Sequence, residues 1–434
     1  MFQFLFDSNT KCATMCFNLS AEVTFMQTLE EKLRTIIDLG NHLSQFKDID
    51  LVLEKILSEA RIFTNCDAGS IYVREGDQLS FRYAQNDTMQ RQLPPGKKLP
   101  YASFTIPINN NSIAGSVAAH GSILNIADAY ELNDLFPFCF NRSYDQQTGY
   151  RTRSMLTIPL KNFRKDTIGV LQLINAMDSQ RGVIPFAEED EEIIGYFANT
   201  AAIAVERAKM TREIIMRMNK MAEMRDPKET GAHVNRVAAY SVVLYEAWAI
   251  RRERPQLEID KNRDVLRMSA MLHDVGKVAI PDMILKKPGR FTDEEFQVMK
   301  LHTVMGANLF SDIYSDFDES AAIVALNHHE RWDGLGYPGY IDLSTKDALD
   351  GYQKYEGITH GKQGEDIPFF GRIVALADVY DALSCRRCYK DAWDEKDVIK
   401  MIQDGSGTQF DPELVTVFLE SVDTFREIRD LYKD

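Results

Sequence analysis

A chain of 434 residues is too long for one ordinary core, so two domains are expected. Hydrophobic residues make up 44% and charged residues 26%, the balance of a globular protein. No apolar run approaches the ~18 residues needed to span a bilayer, and the net charge of −15 argues against sequence-independent binding to nucleic acid polymers. A phosphate-bearing ligand would have to be attracted locally, by metals or a few cationic side chains. Met1 to Phe6 is apolar but lacks the basic start and longer apolar stretch of an export signal, so a cytoplasmic protein is expected. The six cysteines then suggest no disulfide framework, and Cys385 and Cys388 form the one pair with redox or zinc spacing.

In chain order, residues 1–20 carry no usable periodicity and read as a leader. Residues 25–64 read as two helices, broken near Phe46 to Asp50. Strands are expected at Ser70–Val73, Leu79–Tyr83, Ser122–Ile126, Met155–Leu160 and Ile168–Ile174, with a turn at Gly76-Asp77. Short strands with flanking helices and no regular βαβ alternation imply an α+β domain with a mainly antiparallel sheet.

From Glu188 to about Arg225 a long helical pattern runs without proline. Phe197, Ala201, Ala204, Ala208, Thr211, Ile215, Met218 and Ala222 recur in alternating steps of four and three. That seam fits either a helix packed on its own domain or a parallel coiled coil joining two copies. Beyond Arg225 the pattern is helical throughout: His233–Trp248, Asp264–Asp274, a helix capped by Thr292 and Glu295 and running to Leu309, Ser320–His329, and Arg372–Ser384. The second half is therefore expected to be an all-α bundle.

Of eight histidines, five (His233, His273, His302, His328 and His329) fall in this half within about a hundred residues. Glu229 and His233 are four apart and share a helix face; Asp378 and Asp381 are three apart in an otherwise apolar helix. Asp274 follows His273 directly, with Lys277 three residues on. A single core histidine is usually just hydrogen-bonded. Burying several imidazoles and carboxylates together is costly unless cations neutralise and bind them. Mixed imidazole and carboxylate donors without cysteine favour iron, manganese, zinc or nickel, and protonation of such ligands predicts weaker metal binding in acid.

These segments carry a resemblance. Arg225 to His233, Leu272-His273-Asp274-Val275-Gly276-Lys277, Ile280-Pro281-Asp282, His328 to Pro338 with its Gly336-Tyr337-Pro338 triplet, Ala377 to Leu383 and Gly407 to Pro412 follow one another in order. Residues 222–434 thereby resemble the HD-GYP domain, a branch of the HD phosphohydrolase superfamily. The resemblance implies an all-helical fold, two or three divalent metal ions (iron first, with manganese, nickel and zinc as alternatives) and hydrolysis of cyclic di-GMP to linear pGpG and on to GMP. Position by position it implies metal ligation by His233, His273, Asp274 and Asp378, further ligation by His302, His328 and His329, and acidic ligands of a third ion at Glu229 and Asp381. It implies Asp274 and Lys277 as the catalytic pair, with Tyr337, Arg387 and Lys390 also meeting substrate. Other readings are a preference for 3′,3′-cyclic GMP–AMP, a receptor that binds a cyclic dinucleotide without cutting it, and an HD hydrolase of other nucleotides.

Two departures stand out. Roughly twenty extra residues lie between Pro338 and Gly364, and Arg386-Arg387-Cys388-Tyr389-Lys390 stands where the family has Asp-Arg-Pro-Tyr-Lys. The extra loop is expected to border the active site and tune base selection.

Residues 29–205 resemble a GAF domain, a small-ligand sensor, through Ala68 to Val73, Arg151 to Leu160, Asn175 and Phe186 to Glu191. Ala176 replaces the lysine of cyclic-nucleotide-binding members, so the small ligand is left unnamed. The expected organisation is a leader at 1–20, a sensor at 21–190, a linking helix at 191–224 and a phosphodiesterase domain at 225–434. A homodimer through the sensor and linking helix is expected, with no membrane and no nucleic acid polymer as partner.

Overall fold

In a computed structural model, the structure describes residues 40, 43, 45–93, 104–133, 135–225, 231–353, 359–385 and 393–433. The expected leader, Glu229, Arg387, Cys388 and Lys390 lie outside the described residues. The chain forms two compact units, Met1–Lys209 and Met210–Asp434.

The first unit starts, in the described residues, with helix α1 (Ile49–Phe63), where the sequence predicted a break followed by a helix. Asp48 caps it by accepting a hydrogen bond from Leu51 N at 3.0 Å. Strands β1 (Cys66–Glu75) and β2 (Gln78–Asn86) turn at Gly76, whose φ of +62° suits glycine. Then come β3 (Thr105–Pro107), helix α2 (Ile113–His120), β4 (Leu124–Ile126), β5 (Met155–Lys161), β6 (Thr167–Met177) and β7 (Val183–Ile184). The sheet runs β3-β2-β1-β6-β5-β4, with β7 beside β6, and its pairings are antiparallel. β1 lies between β2 and β6 and its first eight residues are buried, which explains its nearly unbroken apolar and small sequence.

Helix α3 (Glu188–Glu223) contains the seam read from the sequence. Phe197, Ala201, Ala204 and Ala208 are buried in the first unit's core with Leu53, Ile56 and Leu57 of α1 and Leu171 and Leu173 of β6. Ile215 belongs to the core of the second unit. The seam thus serves intrachain packing, the first of its two readings. A neighbouring stripe is exposed: Tyr196 at 63%, Ile203 at 63%, Met210 at 65% and Met221 at 59%.

The second unit is helical: α4 (Gly231–Arg251), α5 (Gln256–Ala270), α6 (Asp293–Asn308), α7 (Asp316–Asn327), α8 (Phe369–Ser384), α9 (Glu395–Asp404), α10 (Pro412–Glu420) and α11 (Val422–Leu431). Thr292 and Glu295 form the expected capping box of α6. Tyr240 stacks on Phe425 at 4.4 Å between ring centres, and Tyr380 meets Phe425 at 5.0 Å, in a core that also buries Tyr245, Phe310, Phe410 and Phe418 among aliphatic side chains. Helix α5 stops at Ala270, four residues short of expectation, so His273 and Asp274 sit on a turn before a 3₁₀ segment, Val275–Ala279. Among the described residues no helix is long and apolar enough to cross a membrane.

Candidate metal centre

Five parts of the bundle deliver donors to one place. Helix α4 brings His233, the turn after α5 brings His273 and Asp274, α6 brings His302, the end of α7 brings His328 and His329, and α8 brings Asp378. Two groups of ligand atoms result: Asp274 with His302, His328 and His329, and His233 with His273 and Asp378, each within 4.8 Å of one another. Asp274 faces both. Its Oδ1 lies 3.3 Å from His302 Nε2 and 3.6 Å from His328 Nε2, while its Oδ2 lies 3.2 Å from His273 Nε2 and accepts from Lys277 Nζ at 2.7 Å. Asp378 Oδ1 lies 3.6 Å from His233 Nε2 and 3.9 Å from His273 Nε2.

The imidazoles are aimed by their other nitrogens. His273 Nδ1 donates to Ala270 O at 2.8 Å, His302 Nδ1 to Met299 O at 2.7 Å, and His328 Nδ1 to Ala325 O at 3.0 Å. His233 Nδ1 donates to Asp381 Oδ2 at 2.7 Å. In all four the Nε2 edge is left for the centre, the orientation that protein ligands adopt toward a metal. Asp381, expected as a ligand of a third ion, is in neither donor group. It is buried behind His233 and also takes Arg236 Nε at 2.6 Å and Nη2 at 3.0 Å, so both its oxygens are engaged.

The donor set fits divalent cations on its own chemistry. His273 Nε2 and Asp274 Oδ1 are buried with no hydrogen-bond partner among the described residues, an arrangement that costs free energy unless a cation sits between them. Burial, then the neighbouring His328 and His302, holds His329 well below the usual histidine range, and burial lowers His328 too. Both are therefore neutral near pH 7, the form a metal needs. Burial opposes the charged form of His273, but the adjacent Asp274 carboxylate outweighs it and raises that imidazole. Burial likewise works against the Asp274 carboxylate, yet Lys277 and His273 hold it far below the ordinary range. It stays anionic.

Close backbone approach makes this possible. A Cβ on Gly276 would strike the His302 carbonyl oxygen and the Gly306 backbone, so glycine lets the Asp274 turn press onto α6. Gly336 does the same against Glu330 and Arg331, and Tyr337 N donates to His329 O at 3.2 Å. The Tyr337 ring lies 4.8 Å from that of His329.

The extra loop is tied at its base. Glu330 accepts from Gly339 N at 2.5 Å and Lys362 N at 3.1 Å, and burial pushes its carboxyl up to about 7. Within the loop Tyr340 stacks on Tyr352 at 3.9 Å. Leu343 O accepts from Asn308 Nδ2 at 2.8 Å, six residues beyond His302 and so about 9 Å along α6. One described contact of the loop thus braces the far end of that helix, while its base packs on the Gly336-Tyr337-Pro338 segment, where Thr359 Oγ1 donates to Pro338 O. Arg236, which engages Asp381 behind His233, and Glu330, which ties the loop base, were not singled out in the sequence. An arginine between Val234 and Val237, on a helix rich in apolar residues, was an available signal, since arginine is seldom buried without a partner.

A family model described as HD domain matches residues 230–383, and one described as GAF domain matches residues 48–205. A Vibrio cholerae protein named cyclic di-GMP phosphodiesterase is 41% identical over 52% of this chain and 43% of its own length. A second from Vibrio cholerae, named 3′3′-cGAMP-specific phosphodiesterase 2, is 34% identical over 54% of this chain and 40% of its own. A Thermotoga maritima protein named cyclic di-GMP phosphodiesterase is 36% identical, covering 51% of each chain. The matches span about half or less of those relatives' lengths. Sheet, bundle and donor geometry agree with the two family models, and this chain carries a GAF domain at residues 48–205 and an HD domain at residues 230–383.

Proposed function

We propose that this chain is a metal-dependent phosphodiesterase that opens cyclic di-GMP to linear pGpG and carries it on to GMP. The observation that carries the reading is one carboxylate, Asp274, that belongs to one donor group and turns its other oxygen to within 3.2 Å of His273 of the second, with Lys277 beside it. Divalent cations there would supply a Lewis acid for the phosphodiester and acidify the attacking water. The chain's own residues do the rest. Lys277 is placed to neutralise charge that builds on the phosphate oxygens. Tyr337 closes one side of the site, and Arg387 and Lys390 grip the ligand's phosphates. Iron is the first candidate metal, with manganese, nickel and zinc behind it, and Glu229 is the candidate ligand for a third ion.

The name of the 34% identical relative favours a second substrate, 3′,3′-cyclic GMP–AMP. A non-hydrolysing receptor is the reading of another class. One experiment separates them: purify the full chain anaerobically, reload it with each metal in turn, and follow both dinucleotides by chromatography. Conversion that stops on adding chelator is expected. Ligand retained intact would leave the receptor, and a dinucleotide neither bound nor cut would remove both.

The GAF domain supplies control in answer to a small ligand. The end of α3 offers the route. Asn219 and Ala222 line a small cavity with Asp274 and Val275, and just past the helix Arg225 donates to the carbonyls of Val278 and Ile280. The chain acts as a homodimer joined by the GAF domain and the exposed Tyr196, Ile203 and Met210 stripe. Sedimentation should give a dimer in the parent and a monomer in Ile203→Glu with Met210→Glu; a monomeric parent would remove the stripe's role.

A further inference from the structure

Glu330 follows His329 just after α7 and is buried, yet its carboxylate belongs to neither donor group. An acid taken out of water costs free energy unless its oxygens find donors. Here the donors are backbone amides at the two ends of the extra loop. Gly339 N donates to Oε1 at 2.5 Å and Lys362 N donates to Oε2 at 3.1 Å. A glutamine could not do the same: it has one oxygen and would turn an NH₂ toward the second N–H. A buried acid that caps two amides is first of all a structural device. The segment those amides flank gives this one a further task.

Backbone packs against the Gly336-Tyr337-Pro338 segment at two places. A Cβ on Gly336 would strike the backbone of Glu330 and Arg331, and a Cβ on Gly361 would strike the carbonyl oxygens of Gly334 and Gly336. Thr359 Oγ1 donates to Pro338 O, and Tyr340 N donates to His360 O at 3.2 Å. The returning end of the extra loop, Thr359 to Lys362, therefore backs the turn, and Glu330 holds that end in place. The turn carries the Tyr337 ring, 4.8 Å from the His329 ring and 6.4 Å from that of His302, both metal-ligand candidates. Tyr337 N donates to His329 O at 3.2 Å, the long end of the ordinary range, so packing on the turn decides how closely the ring stands.

We propose that Glu330 is a positioning residue for substrate: by clasping Gly339 and Lys362 it holds the end of the extra loop against the turn, and so sets where the Tyr337 ring stands beside the metal centre. This rests on the phosphodiesterase reading above. The test uses the metal-loaded full chain and its variants, with cyclic di-GMP as substrate. Glu330→Gln is expected to raise KM about tenfold, the scale of one buried N–H left without its acceptor, with kcat and metal content those of the parent. Tyr337→Ala should raise KM as well, and adding Glu330→Gln to it should raise KM no further, because both changes act through the same ring. Gly361→Ala pushes on the turn without touching the carboxylate. The same rise in KM is expected of it, and it keeps the test open should Glu330→Gln not fold. A loss falling on kcat or on metal content would put Glu330 in support of His329 and overturn the proposal. So would KM effects of Glu330→Gln and Tyr337→Ala that multiply in the double variant, or an unchanged KM in either Glu330→Gln or Gly361→Ala. A parent that neither binds nor cuts cyclic di-GMP removes both readings; a parent that cuts it, with variants that match it, removes this one alone.

Discussion

Asp274→Asn should lower phosphodiester turnover by at least about 10³-fold, several kcal/mol at ~1.4 kcal/mol per decade. The substitution keeps the side chain's size and removes its charge. Asp274 turns Oδ1 toward His302 and His328 and Oδ2 toward His273 and Lys277. An amide has one oxygen, so it can serve one donor group and must turn an NH₂ toward the other. Lys277 would also lose the carboxylate at 2.7 Å that fixes its ammonium. Metal content measured on the purified variant should fall with activity. His329→Ala makes the comparison, because His329 belongs to one group only and its loss leaves His233, His273 and Asp378 intact. A full metal complement and parental turnover in Asp274→Asn would mean the carboxylate does not bridge.

Local pattern carried most of the fold. Ser70–Val73, Met155–Leu160 and Ile168–Ile174 all fall inside long strands because buried strands need β-branched and aliphatic residues in series. Thr105–Pro107 and Val183–Ile184 were invisible: two or three residues hold no period, and only pairing with β2 and β6 makes them strands. The α3 seam had the right spacing and an open destination. Ala201, Ala204 and Ala208 allow equally close approach to a neighbouring element of the same chain or to another helix, and nothing local says which. At the site, the seven donors His233, His273, Asp274, His302, His328, His329 and Asp378 were legible as residue types, and the structure gathers them into two groups. Asp381 was legible as an acid three residues after Asp378, yet its task depends on Arg236, 145 positions earlier in the chain. Periodicity cannot see that far.

Asp381 separates stability from metal binding in a way that can be measured. Asp381→Ala removes the carboxylate that takes Arg236, 2% exposed, at 2.6 and 3.0 Å, and should cost about 3–5 kcal/mol of stability, read as a lower melting temperature. It also strips His233 Nδ1 of its acceptor, which should weaken metal binding about 10- to 100-fold. Arg236 Nη1 also donates to Tyr432 O at 2.8 Å, a neutral acceptor that does not replace the carboxylate. The two effects come apart in a double variant. Asp381→Leu with Arg236→Met removes both charges and fills the space with apolar groups, so stability should recover toward the parent. Metal affinity should not recover, because the His233 imidazole is still without the partner that sets its tautomer and angle. If Asp381 were itself a ligand, the single variant would lose an ion from the stoichiometry and not merely affinity. If the double variant held metal as tightly as the parent, His233 would need no aiming, and the Nδ1 contacts of His273, His302 and His328 would have to be read as ordinary helix-end hydrogen bonds as well.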